Sequence, residues 1–335
     1  EDKMDLRVKI QPKEIFIYSM YNFWAGLRGI GCIILTVLVI IAAAASEERL
    51  GTQVTNLVIL GVIALTGFQI FAIWKNRKEI LPGMESSDFR KSYEKVMELL
   101  RKAENKIQLC TSAKEMEDAH QNGKAAAFLS VEDVSIMGKD VEQIRELGFL
   151  FVLLSWNYEN EYACGAAFDQ EQGLTDRGKD IVKFLLQQGI VLDISHLSDR
   201  GVEDLFQMTD KPIIASHSNV RALCNHPRNL KKEQIQELIR RKGLIGMNYY
   251  RNFVGGTEDI EAIIKHMDAV LNLGGEDVLV LGGDFDGCSG KFLDGIQGVQ
   301  SMPVLRKAML EHGFGEKLTE KVFFENARAF IGRNL

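Results

Sequence analysis

Between residues 125 and 284 the sequence alternates short apolar runs with amphipathic helical segments, and this alternation restricts the fold more tightly than any other feature. The runs are AAAFLSV (125–131), LFVLLSW (150–156), IVLDIS (190–195), PIIASH (212–217), LIGMNYY (244–250) and VLVLGGD (278–284). One intervening segment, KEQIQELIRRKG, turns Ile235, Leu238 and Ile239 to one face, with Gly243 suited to its C-cap. Another, TEDIEAIIKHMDAVLNLGG, offers Thr257 as N-cap and a stripe of Ile260, Ile263, Ile264, Met267 and Leu271. Ahead of them, residues 86–105 predict a helix with Phe89, Tyr93, Val96 and Leu100 on one face. Repeated strand–helix units need crossover connections, so the strands run parallel in an α/β domain. Periodicity alone leaves the sheet either open or closed into a barrel.

The N-terminal part has a different texture. No residue from Gly29 to Ala45 is charged, nor any from Gly51 to Trp74. A helix crosses the hydrocarbon core in about 20 residues, with about 17 as the lower limit. Both runs qualify, and the short SEERL connector between them predicts a two-helix transmembrane hairpin. A pair of helices buried in a soluble core is the competing reading. Trp24 and Trp74 stand near the outer ends, where indoles favour the headgroup region. Arg7, Lys9, Lys13 and Arg28 precede the first run and Lys75, Arg77 and Lys78 follow the second, against Arg49 alone in the connector. The positive-inside bias then puts both ends, and the larger domain, on the cytoplasmic side of the membrane. AAAAS at the end of the first run also resembles a signal-peptidase site, although a second apolar run follows at once. The expected division is a membrane region over 1–83 and an α/β domain over 84–335.

A net charge of −6 with no basic run argues against a nucleic-acid partner. The cysteines Cys32, Cys110, Cys164, Cys224 and Cys288 are odd in number and scattered, with no CxxC pair, and so predict free thiols. No GG pair has the spacing of a dinucleotide fingerprint.

Polar groups gather where the strand candidates end. Glu132 follows the first, Asn157 the second, His196 the third and His217 the fourth; Tyr250 ends the fifth and Asp284 the sixth. In a (β/α) barrel these ends share one face. Two imidazoles and two carboxylates there suit zinc, which accepts nitrogen and oxygen donors. His226 in its Pro-containing loop reads as structural. His120, His266 and His312 read as solvated, and Asp193 and Asp286 as groups that orient ligands.

LSVED around Glu132, LDISHLSDRGVEDLF around His196, ASHSNVRALCNHPRNL around His217, LGGDFDG around Asp284 and the terminal FFENARAFIG together resemble the membrane dipeptidase (renal dipeptidase) family of zinc metallopeptidases, from about Ser86 onward. The resemblance implies a (β/α)8 TIM-barrel-like hydrolase that cleaves dipeptides with metal-activated water at a two-zinc centre. Glu132 matches the carboxylate bridging both metals, His196 and His217 the imidazoles of the second zinc, and Asp284 the acid that handles the proton. Arg228 matches the arginine gripping the substrate carboxylate and Tyr250 a substrate-contacting tyrosine, and Asn157, at the end of its strand, is a further candidate for substrate binding. The family opens with a strand carrying His-x-Asp, yet no histidine here precedes His120. Glu132 and Asp284 alone are too few for a first zinc, whereas Glu132, His196 and His217 suffice for one. Trp156 stands where many members carry a histidine. The expected chain is therefore a membrane-anchored single-zinc dipeptidase or, from a different class, a catalytically impaired metal- or peptide-binding relative. Without the family's first two strands the sheet has bare edges, to be covered by residues 1–28, a strand at 106–112 or a second copy in a homo-oligomer.

Overall fold

In the computed structural model the described residues are 86–285, 287 and 290–335. The two apolar runs assigned to a membrane hairpin, and Asp286, lie outside them. Among the described residues no helix is long and apolar enough to cross a membrane.

Helix α1 (Ser86–Lys102) packs Phe89 and Tyr93 on Phe149, with ring centroids 5.9 and 6.0 Å from it. Val96, expected on that same face, is 40% exposed, because the contact is confined to the first turns. Strand β1 (Ile107–Leu109), helix α2 (Ala113–Gln121) and strand β2 (Ala125–Ala127) form a parallel unit with Ile107 opposite Ala125. The strand expected at 106–112 is thus present and covers one side of β2. The AAAFLSV run, expected as one strand, is broken at Phe128 into β2 and β3 (Leu129–Val131), and the pairing of β3 shifts register at Leu129/Ser130. Phe128 instead meets Phe151 edge-on.

After a 3-10 segment (Val134–Gln143) come β4 (Phe149–Leu153), α3 (Asp176–Gln187), β5 (Val191–Asp193), α4 (Asp199–Met208), β6 (Ile214–Ala215), α5 (Lys232–Arg240), β7 (Leu244–Met247), the single-turn α6 (Arg251–Val254), α7 (Ile260–Leu271) and β8 (Leu279–Leu281). Helices α8 (Met302–His312), α9 (Gly315–Glu320) and α10 (Asn326–Asn334) complete the described chain. Strands β3 to β8 lie side by side in chain order, every pair parallel.

Alternation along each strand explains the apolar runs. Leu192, Ala215, Ile245 and Leu279 face a core shared with Leu185 of α3, Leu205 of α4, Leu238 of α5 and Ile263 of α7. Their neighbours Val191, Ile214, Leu244 and Val280 point to the other face, where Phe330 of α10 covers them. Both faces are buried, so the strands read as continuous apolar sequence instead of alternating.

Two local expectations are corrected. Helix α7 is capped by Asp259, whose carboxylate accepts from Ala262 N at 2.9 Å, while Thr257 donates to that carboxylate from outside the helix. At the end of α5 the left-handed position belongs to Lys242 (φ 54°), not to Gly243. Gly243 is needed for a different reason: a Cβ there would lie 2.0 Å from the Ile213 carbonyl oxygen.

Candidate metal centre

Parallel pairing brings the C-terminal ends of the strands to one edge, and the turns beyond them carry the polar groups. Glu132 comes directly after β3, His196 three residues beyond β5 and His217 two beyond β6. One ligand atom from each lies within 4.8 Å of the others, the one such group among the described residues. The two rings stand 4.9 Å apart, inclined at 61°, and Glu132 Oε1 is 3.8 Å from His217 Nε2.

Each imidazole has its Nδ1 occupied by the protein. His196 Nδ1 is 2.9 Å from Asn157 Oδ1, and His217 Nδ1 is 2.7 Å from Ser216 Oγ. His217 Nε2 is buried with no hydrogen-bond partner. A buried polar atom left so costs about 1–3 kcal/mol, and here it points at a carboxylate and a second imidazole. Burial first, then the charge of Arg228, holds both rings well below the usual histidine range, so they are neutral at pH 7.

The other expected site residues surround this group without joining it. Asp284, outside the cluster of three, has a left-handed backbone (φ 49°) and accepts from Asn248 Nδ2 at 3.0 Å. Arg228 is buried, with its guanidinium carbon 5.4 Å from the Phe253 ring centre. The hydroxyl of Tyr250 accepts from Asn252, and its ring meets the same Phe253 edge-on. Asn157, expected at the substrate, contacts His196.

Three residues near the site went unremarked in the sequence. Fully buried Asn248 donates to Asp284 and, at 3.3 Å, to the His217 carbonyl, and it accepts from Tyr250 N. Asn219 exchanges hydrogen bonds with the backbone of Asn248. Phe253 packs against His226, Arg228 and Tyr250. Asparagine and phenylalanine are too common in any sequence to stand out before the turns are assembled.

The chain's single His-x-Asp string, His266-Met267-Asp268, supplies no ligand to this centre. It lies on α7, and His266, expected to be solvated, is 1% exposed. Its Nδ1 accepts from Val220 N and its Nε2 meets the Val254 carbonyl, because that helix face is turned inward. Burial lowers its pKa below the ordinary 6.5. The unfolded chain then binds the proton more readily, so this stabilisation is complete above pH 6.5 and is lost as pH falls through that value toward the folded one. Urea midpoints should therefore drop from pH 7.5 to pH 5, and by less in His266→Gln; equal drops in both proteins would exclude His266 as a cause.

Residues 46–331 match the family described as membrane dipeptidase (peptidase family M19). The chain belongs to the membrane dipeptidase family. The match begins well before Ser86 and takes in the second apolar run. Dipeptidase tcpJ of Claviceps purpurea is 27% identical over 241 residues, which make up 70% of this chain and 56% of that protein. The chain therefore spans little more than half of that relative. A metallopeptidase of Rhodobacter sphaeroides, solved with a phosphinate mimic of the dipeptide L-Ala-D-Ala, has a TM-score of 0.67 at 26% identity and covers 72% of this chain and 73% of its own. The M19 metallopeptidase named dipeptidase AC reaches 0.68 at 27% identity, covering 72% and 75%. The membrane dipeptidase α/β fold thus accounts for the parallel sheet and for the strand ends that carry the three candidate ligands.

Proposed function

We propose that the chain is a metal-dependent dipeptidase-like hydrolase whose centre, Glu132, His196 and His217, holds one zinc ion. The observation that carries this reading is the convergence of one carboxylate and two neutral imidazoles around a buried, unpartnered Nε2. Two nitrogens and one oxygen are a donor set that suits zinc, with a coordination position left over. A cation held there supplies Lewis acidity toward water and a peptide carbonyl.

The chain's own groups do the rest. Arg228, fixed against Phe253, offers a planar guanidinium to the substrate's terminal carboxylate. Asp284, hydrogen-bonded by Asn248, accepts and returns a proton in this reading. Asn157 holds the His196 ring through Nδ1, and Tyr250 lines the substrate side. The apolar runs at 29–45 and 51–74 would anchor the domain to a membrane with the catalytic part on the cytoplasmic side.

The test uses the full chain purified in detergent with zinc. About one zinc per chain is expected, as a three-ligand centre requires. Hydrolysis of Gly-D-Ala or Leu-Gly should disappear on chelation and return with zinc. Bound zinc without turnover would identify a binding protein instead, and protein that takes up no zinc would refute the centre.

A further inference from the structure

We infer that Asp193, Ser195 and Ser216 form a hydrogen-bonded relay that fixes the tautomer and position of His217, making all three positioning residues of the metal centre. The inference rests on the metal-centre reading above and deepens it. A neutral imidazole presents an Nε2 lone pair only when its proton sits on Nδ1. Ser216 Oγ, 2.7 Å from that Nδ1, must then accept, and its own hydroxyl proton needs another acceptor. Two are in reach, Ser195 Oγ at 3.3 Å and the Asp193 carboxylate, which also interacts with the Ser216 side chain. Ser195 in turn donates to Asp193 Oδ1 at 2.7 Å.

The proton count closes along this path. Ser195 Oγ donates to Asp193 and accepts from the His217 backbone N–H at 3.0 Å, which leaves it a lone pair for the Ser216 hydroxyl. Asp193 Oδ1 accepts further from the backbone N–H groups of Ser195 (2.9 Å) and Ser216 (3.1 Å). Three donors meet this one oxygen, so it acts as an acceptor, directs the hydroxyls upstream and leaves His217 as the Nδ1–H form. The same oxygen ties the turn after β5, which carries His196, to the turn after β6, which carries His217. Asp193 is 3% exposed and Ser195 2%, so water does not compete for the bond between them, while Ser216 is half-buried.

The experiment compares full-length wild type, Ser216→Ala, Ser195→Ala and Ser216→Thr. Zinc affinity is read by competition with a chromophoric chelator, ligand geometry from the visible spectrum of the cobalt(II) form, and folding from the metal-free melting temperature. Both alanine variants are expected to bind zinc about 10–100-fold more weakly, the usual cost of losing a group behind a metal ligand. Their cobalt spectra should change, and Ser216→Thr, which keeps the hydroxyl, should recover wild-type affinity. Should Ser216→Ala melt early without metal, the threonine comparison still decides, because threonine restores the hydrogen bond specifically. Wild-type affinity in Ser216→Ala would overturn the relay, as would Ser216→Thr binding as weakly as Ser216→Ala. Wild-type protein that takes up no zinc would instead defeat the underlying metal-centre reading.

Discussion

His217→Ala is expected to lose zinc and to lower kcat/KM for a dipeptide by well over 100-fold, beyond the upper end of the loss from a supporting group. Only Glu132 and His196 would remain of the cluster, too few to retain a tetrahedral zinc. The fold should survive. Without metal the wild-type imidazole buries an unpartnered Nε2, and its removal relieves a cost that offsets part of the lost packing. Ligand binding to the native state alone adds about 2.7 kcal/mol at a hundred times the dissociation constant. Added zinc should therefore raise the melting temperature of the wild type and leave that of His217→Ala where it was. If the variant still melts higher with zinc, the ion is held elsewhere and the assignment of His217 is wrong.

Asp199→Ala should be the most damaging change away from the centre, costing about 3 kcal/mol, the lower end for breaking a buried ion pair. Asp199 opens α4 and is 6% exposed. It accepts from Arg221 at 2.5 and 2.8 Å, from Lys231 at 2.9 Å and from Gln234 at 3.1 Å. Arg221 also donates to the Pro227 and Asn229 carbonyls, and so ties down the loop that presents Arg228. The lower end applies because Lys231 keeps much of its side chain in water. Loosening that loop should raise KM more than it lowers kcat. Burial pushes the Asp199 carboxyl up, but Arg221 and Lys231 prevail and hold its pKa below 3.8. The folded chain thus binds this proton less readily than the unfolded one. The stabilisation is present above pH 3.8 and disappears as pH falls through the lower, folded value. Urea denaturation of both proteins at pH 7 and at pH 3 measures the difference, which should shrink at the lower pH. An unchanged urea midpoint at pH 7 would show that the cluster adds nothing.

Some of the site was legible because a parallel α/β sheet makes its own address system. Glu132, His196 and His217 each follow an apolar run, and parallel strands bring all such positions to one edge. The helix stripes were legible too: Ile235 and Leu238 of α5, and Ile263, Ile264 and Met267 of α7, are all buried. Local signals failed where a contact with distant chain overrode them. His266 looks like a polar-face histidine until Val220, far from it in sequence, donates to its ring. Gly243 looks like a helix cap, yet the Ile213 carbonyl from the neighbouring strand is what excludes a side chain there. Phe128 gives no sign in the sequence that the strand breaks at it, because the break depends on how β2 and β3 find different partners.

The order of strands and helices, and the residues that could serve as ligands, were written in the sequence, since hydrophobic period and side-chain chemistry are local properties. Tertiary structure decided which nitrogen of each imidazole is left for the candidate metal centre. Asn157 takes Nδ1 of His196 from the turn after β4, and Ser216 takes Nδ1 of His217 with Asp193 and Ser195 behind it. A hydrogen bond of this kind requires its two partners to meet within about 3 Å. Only the packed sheet brings the separate turns that close.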